Sequence, residues 1–243
     1  MPPGTASPTD QMLYELVNGS APATIAEVID RMQAIDSLLP PNDGLKWFNQ
    51  LYLIVTRQVA TEPPQGAWQS PVWITRLDVV FAGLYFGAIR DFVAGRAVPS
   101  AWAALFGARY HAGVDRIQFA LAGMNAHINH DLALALLSTD DELHVVPGPG
   151  DPEFADYQSV NDLLNSAMPA ALAMLAADAL GMIAQDTGKI GRLLAFWDIR
   201  SARELAWEFA DHLRSLANSA RDCALNAQGA LTGALSRAIL SAV

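Results

Sequence analysis

Apolar residues in this chain recur at three- and four-residue spacing, the period of an α-helix, while alternating strand-like runs are scarce. Ile25, Val28, Ile29, Met32 and Ile35 repeat in this way behind a capping box at Thr24 and Glu27, until Pro40-Pro41 ends the helix. The next helix starts near Leu45 and carries Phe48, Leu51, Tyr52, Val55 and Val59, with Pro63, Pro64 and Gly66 marking a loop behind it. Ser70-Pro71 opens a helix whose apolar face holds Ile74, Leu77, Phe81, Leu84, Tyr85, Ala88 and Phe92, and a shorter helix starts at Pro99-Ser100. Beyond a bend at 107–113, the pattern predicts helices over about 114–137, from Tyr157 to about Gln185 with a break near Pro169, over 201–216, and from Ser219 onward. A second capping box is read at Ser201 to Glu204, and the Pro-, Gly- and Asp-rich stretch 138–156 as a long loop. The expected fold is all-α, one globular domain of eight or nine helices over residues 23–243, preceded by an N-terminal extension and short helix over 1–22.

Composition narrows the function. The chain is 52% hydrophobic and only 16% charged, with a formal net charge of -10. Binding phosphate backbones needs clustered Lys and Arg, and here Lys46 and Lys189 are the only lysines, so nucleic acid is not expected as a partner. Cys223 is the sole cysteine, which fits a reducing, cytoplasmic setting and rules out an intrachain disulfide. The start, Met1-Pro2-Pro3-Gly4-Thr5, has no signal-peptide pattern. The greasy stretch 170–184 carries Asp178 and is too short to span a bilayer, so no membrane partner is expected.

One segment concentrates polar chemistry inside an apolar helical run. Ile117, Leu121, Met124, Ile128, Leu132 and Ala135 mark a buried stripe, with Asp131 inside it and His127 at its edge one turn earlier. A carboxylate facing a core is costly unless paired, hydrogen-bonded or bound to metal. Asp78 lies on the apolar face of another helix, and Glu208 and His212 sit one turn apart on a third, at the flank of the Leu205, Phe209, Leu213 stripe. Asn125 and Asn129 flank His127, and Asn is a poor residue for a helix interior, so hydrogen bonding to a ligand or a neighbouring loop is expected. His130 projects further from the stripe than His127, and His111 and His144 fall in loops expected to face solvent. Arg76 and Arg203 are placed to bind an anionic group or to form ion pairs. There is no nucleophile elbow, phosphate loop or dinucleotide fingerprint, and Pro147-Gly148-Pro149-Gly150 lacks the Lys and helix entry that a phosphate loop needs.

The run from Ala122 to Leu132, with its Asn-Ala-His-Ile-Asn-His-Asp core, resembles the signature of a bacterial family known as domain of unknown function 5995. Asp43-Gly44-Leu45 through Tyr52 and Thr56, Arg76 to Ala82, and Ala202 to Trp207 are similar to that family as well, so the likeness spans about residues 25–215. It implies one helical domain and directs attention to Arg76, Asp78, Asn125, His127, Asp131, Arg203 and Trp207, without implying a substrate or cofactor. Ala133 departs from the family pattern, where proline often follows Asp-Leu.

The expected function is that of an enzyme acting on a small, largely apolar molecule of specialised metabolism by cyclisation, dehydration, isomerisation or hydrolysis. His127 would be the acid–base group, oriented by Asp131, with Asp78 as a second acid. Asn125, Asn129, Arg76, Arg203 and Trp207 would contact substrate, and no cofactor is needed. A second reading makes His127, His130, Asp131, Asp78, Glu208 and His212 ligands of a transition metal in a hydrolase or oxygenase. A third is a ligand-binding or scaffold protein in which the motif only ties helices together. The sequence does not read out an oligomeric state.

Overall fold

The computed structural model describes residues 7–61, 63, 67–176 and 198–241, and every described element is helical. The helices are α1 (Pro8–Val17), α2 (Ile25–Leu38), α3 (Gly44–Thr61), α4 (Pro71–Val93) and α5 (Ser100–Ala108). Then come α6 (Arg116–Ala126), a π-helical turn (His127–Asp131) and α7 (Leu132–Leu143), continuous with one another. The set closes with α8 (Pro152–Ala176), α9 (Ile199–Ser215) and α10 (Asn218–Ser241). Taking α6, the π turn and α7 as one rod, that is nine helices among the described residues.

The rod is the axis of the bundle. α3 and α10 pack on α6, α4 and α9 pack on α7, and α8 lies across α3. Every residue from Ile117 to Ala126 is buried, so α6 is enclosed all round and has no solvent face. That corrects the expected stripe: a helix apolar on every side belongs at the centre of a bundle. α1 packs on α4 and contributes Leu13 and Val17 to the core.

Several ends differ from expectation for local reasons. α7 runs on to Leu143 because Asp140, which reads as a loop residue, is buried and accepts Trp73 Nε1 at 2.7 Å and the Arg214 guanidinium. The loop before α8 shrinks to 144–151, entered through His144 at φ 56°. α8 starts at Pro152 and passes through Pro169 without ending. Its expected reach to Gln185, like Asp178, falls outside the described residues. α9 is capped by Asp198, which accepts the Ser201 backbone N–H at 3.1 Å, so Ser201 lies inside the helix and forms no box with Glu204. The Thr24 cap stands as expected, accepting the Glu27 N–H at 3.2 Å. Among the described residues α4 is long and apolar enough to cross a membrane, and half of that window is buried inside the bundle.

Candidate functional site

The rod changes pitch where the sequence motif lies. The Leu132 N–H bonds the His127 carbonyl, five residues back, which opens the turn to π geometry. Single π turns inside α-helices are rare and gather at functional sites. Here the turn presents His127 to a cavity that the sequence could not outline, bounded by α3, α4, the rod, α8 and α9. The cavity's volume, counted as the space open to the centre of a water-sized sphere, is about 90 Å³, enough for several water molecules.

His127 is 2% exposed, and its ring is locked in place. It stacks on Phe81 with ring centres 3.5 Å apart and planes 7° off parallel, while Tyr52 meets it edge-on at 4.6 Å. Its Nδ1 lies 3.1 Å from Asp131 Oδ2. Asp131 also accepts Trp102 Nε1 at 2.9 Å, and His130 Nδ1 sits 2.8 Å from its other oxygen. Burial alone would raise the Asp131 carboxyl, but the hydrogen bonds from His127 and His130 outweigh it and hold the group below the usual carboxylate range. An ionised carboxylate only accepts, so His127 donates from Nδ1 and keeps a bare lone pair on Nε2. Burial lowers the imidazole below its ordinary value, against the opposing pull of Asp131. His127 is therefore neutral at pH 7, and its Nε2 has no protein partner.

Two more polar atoms on the wall lack partners. Asp78 Oδ2 is sealed from solvent without a hydrogen bond, and burial pushes this carboxyl up to about 7. The Tyr52 hydroxyl has no partner within hydrogen-bond limits either, and burial pushes it well above the ordinary phenol range, with Asp78 and Asp131 adding to the effect and the nearby Thr56 hydroxyl opposing it. Unpartnered buried polar groups are rare because each one costs free energy, and three around one cavity call for a function. Arg203 also lines the wall, 6% exposed. The rest of the lining is apolar, chiefly Phe48, Leu51, Leu77, Met124, Val160 and Leu164.

The other expected site residues lie elsewhere. Asn125 faces α10, donating to the Thr232 carbonyl and to Ser236 Oγ, each at 2.8 Å. Asn129 donates to Asn125 Oδ1, and its carbonyl accepts Gln228 Nε2 at 2.8 Å. These two residues tie helices together and are not part of the lining of the His127 cavity. Arg76 pairs with Glu142 at the surface, and Trp207 is buried against Trp73, Phe154 and Tyr157, away from the cavity lining. Glu208 and His212 are exposed, as a flank position allows. His130 is buried at 8% exposure and serves Asp131, correcting its outward placement. Among the described residues no three His, Cys, Asp or Glu side chains converge as ligands, so the six-residue metal set is not brought together. His111 and His144 are exposed as expected.

Sequence reasoning missed Tyr52, Phe81 and Trp102. Each looks like ordinary core at helical spacing, and only the packing shows that they surround one imidazole. A family model described as a family of unknown function, DUF5995, matches residues 25–242. None of the curated proteins and none of the solved structures compared with the chain matches it.

Proposed function

The chain belongs to the DUF5995 family, and we propose that it is an enzyme that moves protons on a small, largely apolar molecule held in the His127 cavity. The observation that carries this reading is the convergence of three buried, unpartnered polar atoms on one apolar space: His127 Nε2, Asp78 Oδ2 and the Tyr52 hydroxyl. Their chemistry is complementary. His127 Nε2 accepts a proton from a C–H or O–H of the bound molecule, and Asp131 stabilises the imidazolium that forms. Asp78, protonated up to about pH 7, returns a proton to a leaving or developing oxygen. Tyr52 donates a hydrogen bond to that oxygen. One proton leaves the substrate and one is returned, which suits isomerisation, dehydration or cyclisation. Hydrolysis needs only a water placed at Nε2.

A purely structural His–Asp pair would be expected to use both ring nitrogens, and here Nε2 of a residue that lines the cavity has no partner. The ligand-free cost of Asp78 likewise makes little sense in a scaffold.

The test exposes a metabolite extract to purified wild type and to His127→Gln, and compares both by mass spectrometry. The reading expects at least one compound converted by the wild type and untouched by the variant, with the two proteins melting within a few degrees. Conversion by both, or a compound retained but changed by neither, overturns it. The second of those results would mark a binding protein instead.

A further inference from the structure

Arg203 takes no part in these proton transfers, yet it is the one cation among the described residues that lines the cavity. Its Nε–H donates to Asn161 Oδ1 at 2.9 Å, and Nη2 donates to the Tyr157 carbonyl at 2.7 Å. The guanidinium carbon lies over the Tyr157 ring, 4.1 Å from its centre. All three partners are neutral. Among the described residues no carboxylate comes within ion-pair distance, and none of them accepts a hydrogen bond from Nη1. Among the described residues the other buried arginine is treated differently: Arg109 is paired with Asp43 and with Asp10.

A guanidinium keeps its charge at any physiological pH, and burying one without a counter-charge is costly. Two of the nitrogens are held by fixed neutral acceptors, the third has no acceptor among the described residues, and the side chain lines the cavity. That is a preorganised receptor for an oxyanion, which would complete it with charge-assisted hydrogen bonds. One guanidinium balances one negative charge, and among the described residues no second cation lines the wall to balance a dianion. Arg203 and Asp78 form no pair, so the carboxylate on the wall does not occupy the receptor. Between the two the wall is apolar.

We propose that the ligand of this cavity is an amphipathic monoanion, a carboxylic acid whose carboxylate seats on Arg203 and whose apolar body runs along the wall toward His127. The orientation, reacting end at His127 and anchored end at Arg203, rests on the proton-transfer reading. The anion receptor itself does not.

The experiment titrates octanoate, decanoate and dodecanoate, and the matching primary alcohols, into the full-length protein by calorimetry, above the pKa of the free acids. The expected result is that at least one carboxylate binds about tenfold or more tightly than its alcohol. Arg203→Gln should abolish that preference while leaving alcohol binding within about twofold, and Arg203→Lys should retain part of it. Equal affinity for acid and alcohol in the wild type overturns the proposal, as does the lack of saturable binding by any carboxylate. A preference that survives Arg203→Gln does the same. Should that variant not fold, the wild-type comparison decides. His127→Gln should keep the preference in full, so a carboxylate-selective protein without turnover would sink the catalytic reading and leave this one standing.

Discussion

Burial acts in opposite directions on Asp78 and His127, and the difference assigns their roles. The carboxyl that no donor reaches holds its proton up to about pH 7, while the imidazole gives its proton up below its ordinary value. An acid and a base therefore coexist at neutral pH on one wall. The same shift sets a stability trend. The unfolded chain loses the Asp78 proton near the ordinary carboxyl value, whereas the folded chain keeps it until about 7, so stability falls as pH rises between the two. Asp78→Asn should thus be more stable than the wild type above about pH 7, by on the order of 2 kcal/mol since part of the side chain faces the cavity, and indistinguishable in strongly acidic buffer. Urea melts on either side of that pH check it, and any activity of the wild type should decline on the alkaline side as the same proton leaves.

At the scale of helices, the close approach of α3 and α6 builds the wall that carries both Tyr52 and His127. Gly123 permits that approach, because a Cβ at this position would collide with the ring of Phe48. Gly123→Ala should cost about 1–3 kcal/mol, the usual range for overpacking, and should also displace the Phe48 and Tyr52 side of the cavity. Denaturant melts measure the first effect, and weakened ligand binding measures the second. The outcome to look for is a joint loss, since a stability loss with unchanged binding would mean that α3 does not shape the site. The π turn works at the same scale. By widening one turn it changes the phase of the rod between α6, which engages α10, and α7, which packs on α4 and α9.

Across the whole molecule, a second polar centre, outside the cavity lining, keeps the scaffold closed. Arg109 is 2% exposed and joins three places at once: Asp43 ahead of α3, Asp10 on α1, and the chain just after α5. Asp43 also accepts the Leu45 N–H at 3.0 Å, so the Asp43-Gly44-Leu45 segment is scaffold. Removing only the arginine strands a fully buried carboxylate. Arg109→Met should destabilise the protein by about 3–5 kcal/mol, and replacing Asp43 with Asn as well should recover part of it. Thermal melts of the two variants decide the matter, and a single variant as stable as the wild type would show that the pair does not hold the bundle.

Helical spacing alone determined the class of fold, because a 3.6-residue repeat of apolar side chains can be buried in few other ways. It also singled out His127, Asp131 and Asp78, since charged groups among apolar neighbours are visible in one dimension. What they face was not visible. Asn125 and His127 read as one polar cluster along the chain, yet one bonds the last helix and the other lines the cavity, because residues two apart on a helix point to opposite sides and different helices pack there. Tyr52, Phe81 and Trp102 read as core until packing set them around one imidazole, and Glu208 and His212 read as a ligand pair until packing turned them to solvent. Whether a polar group meets a partner, water or an empty space depends on elements distant in sequence, and only tertiary structure brings those together.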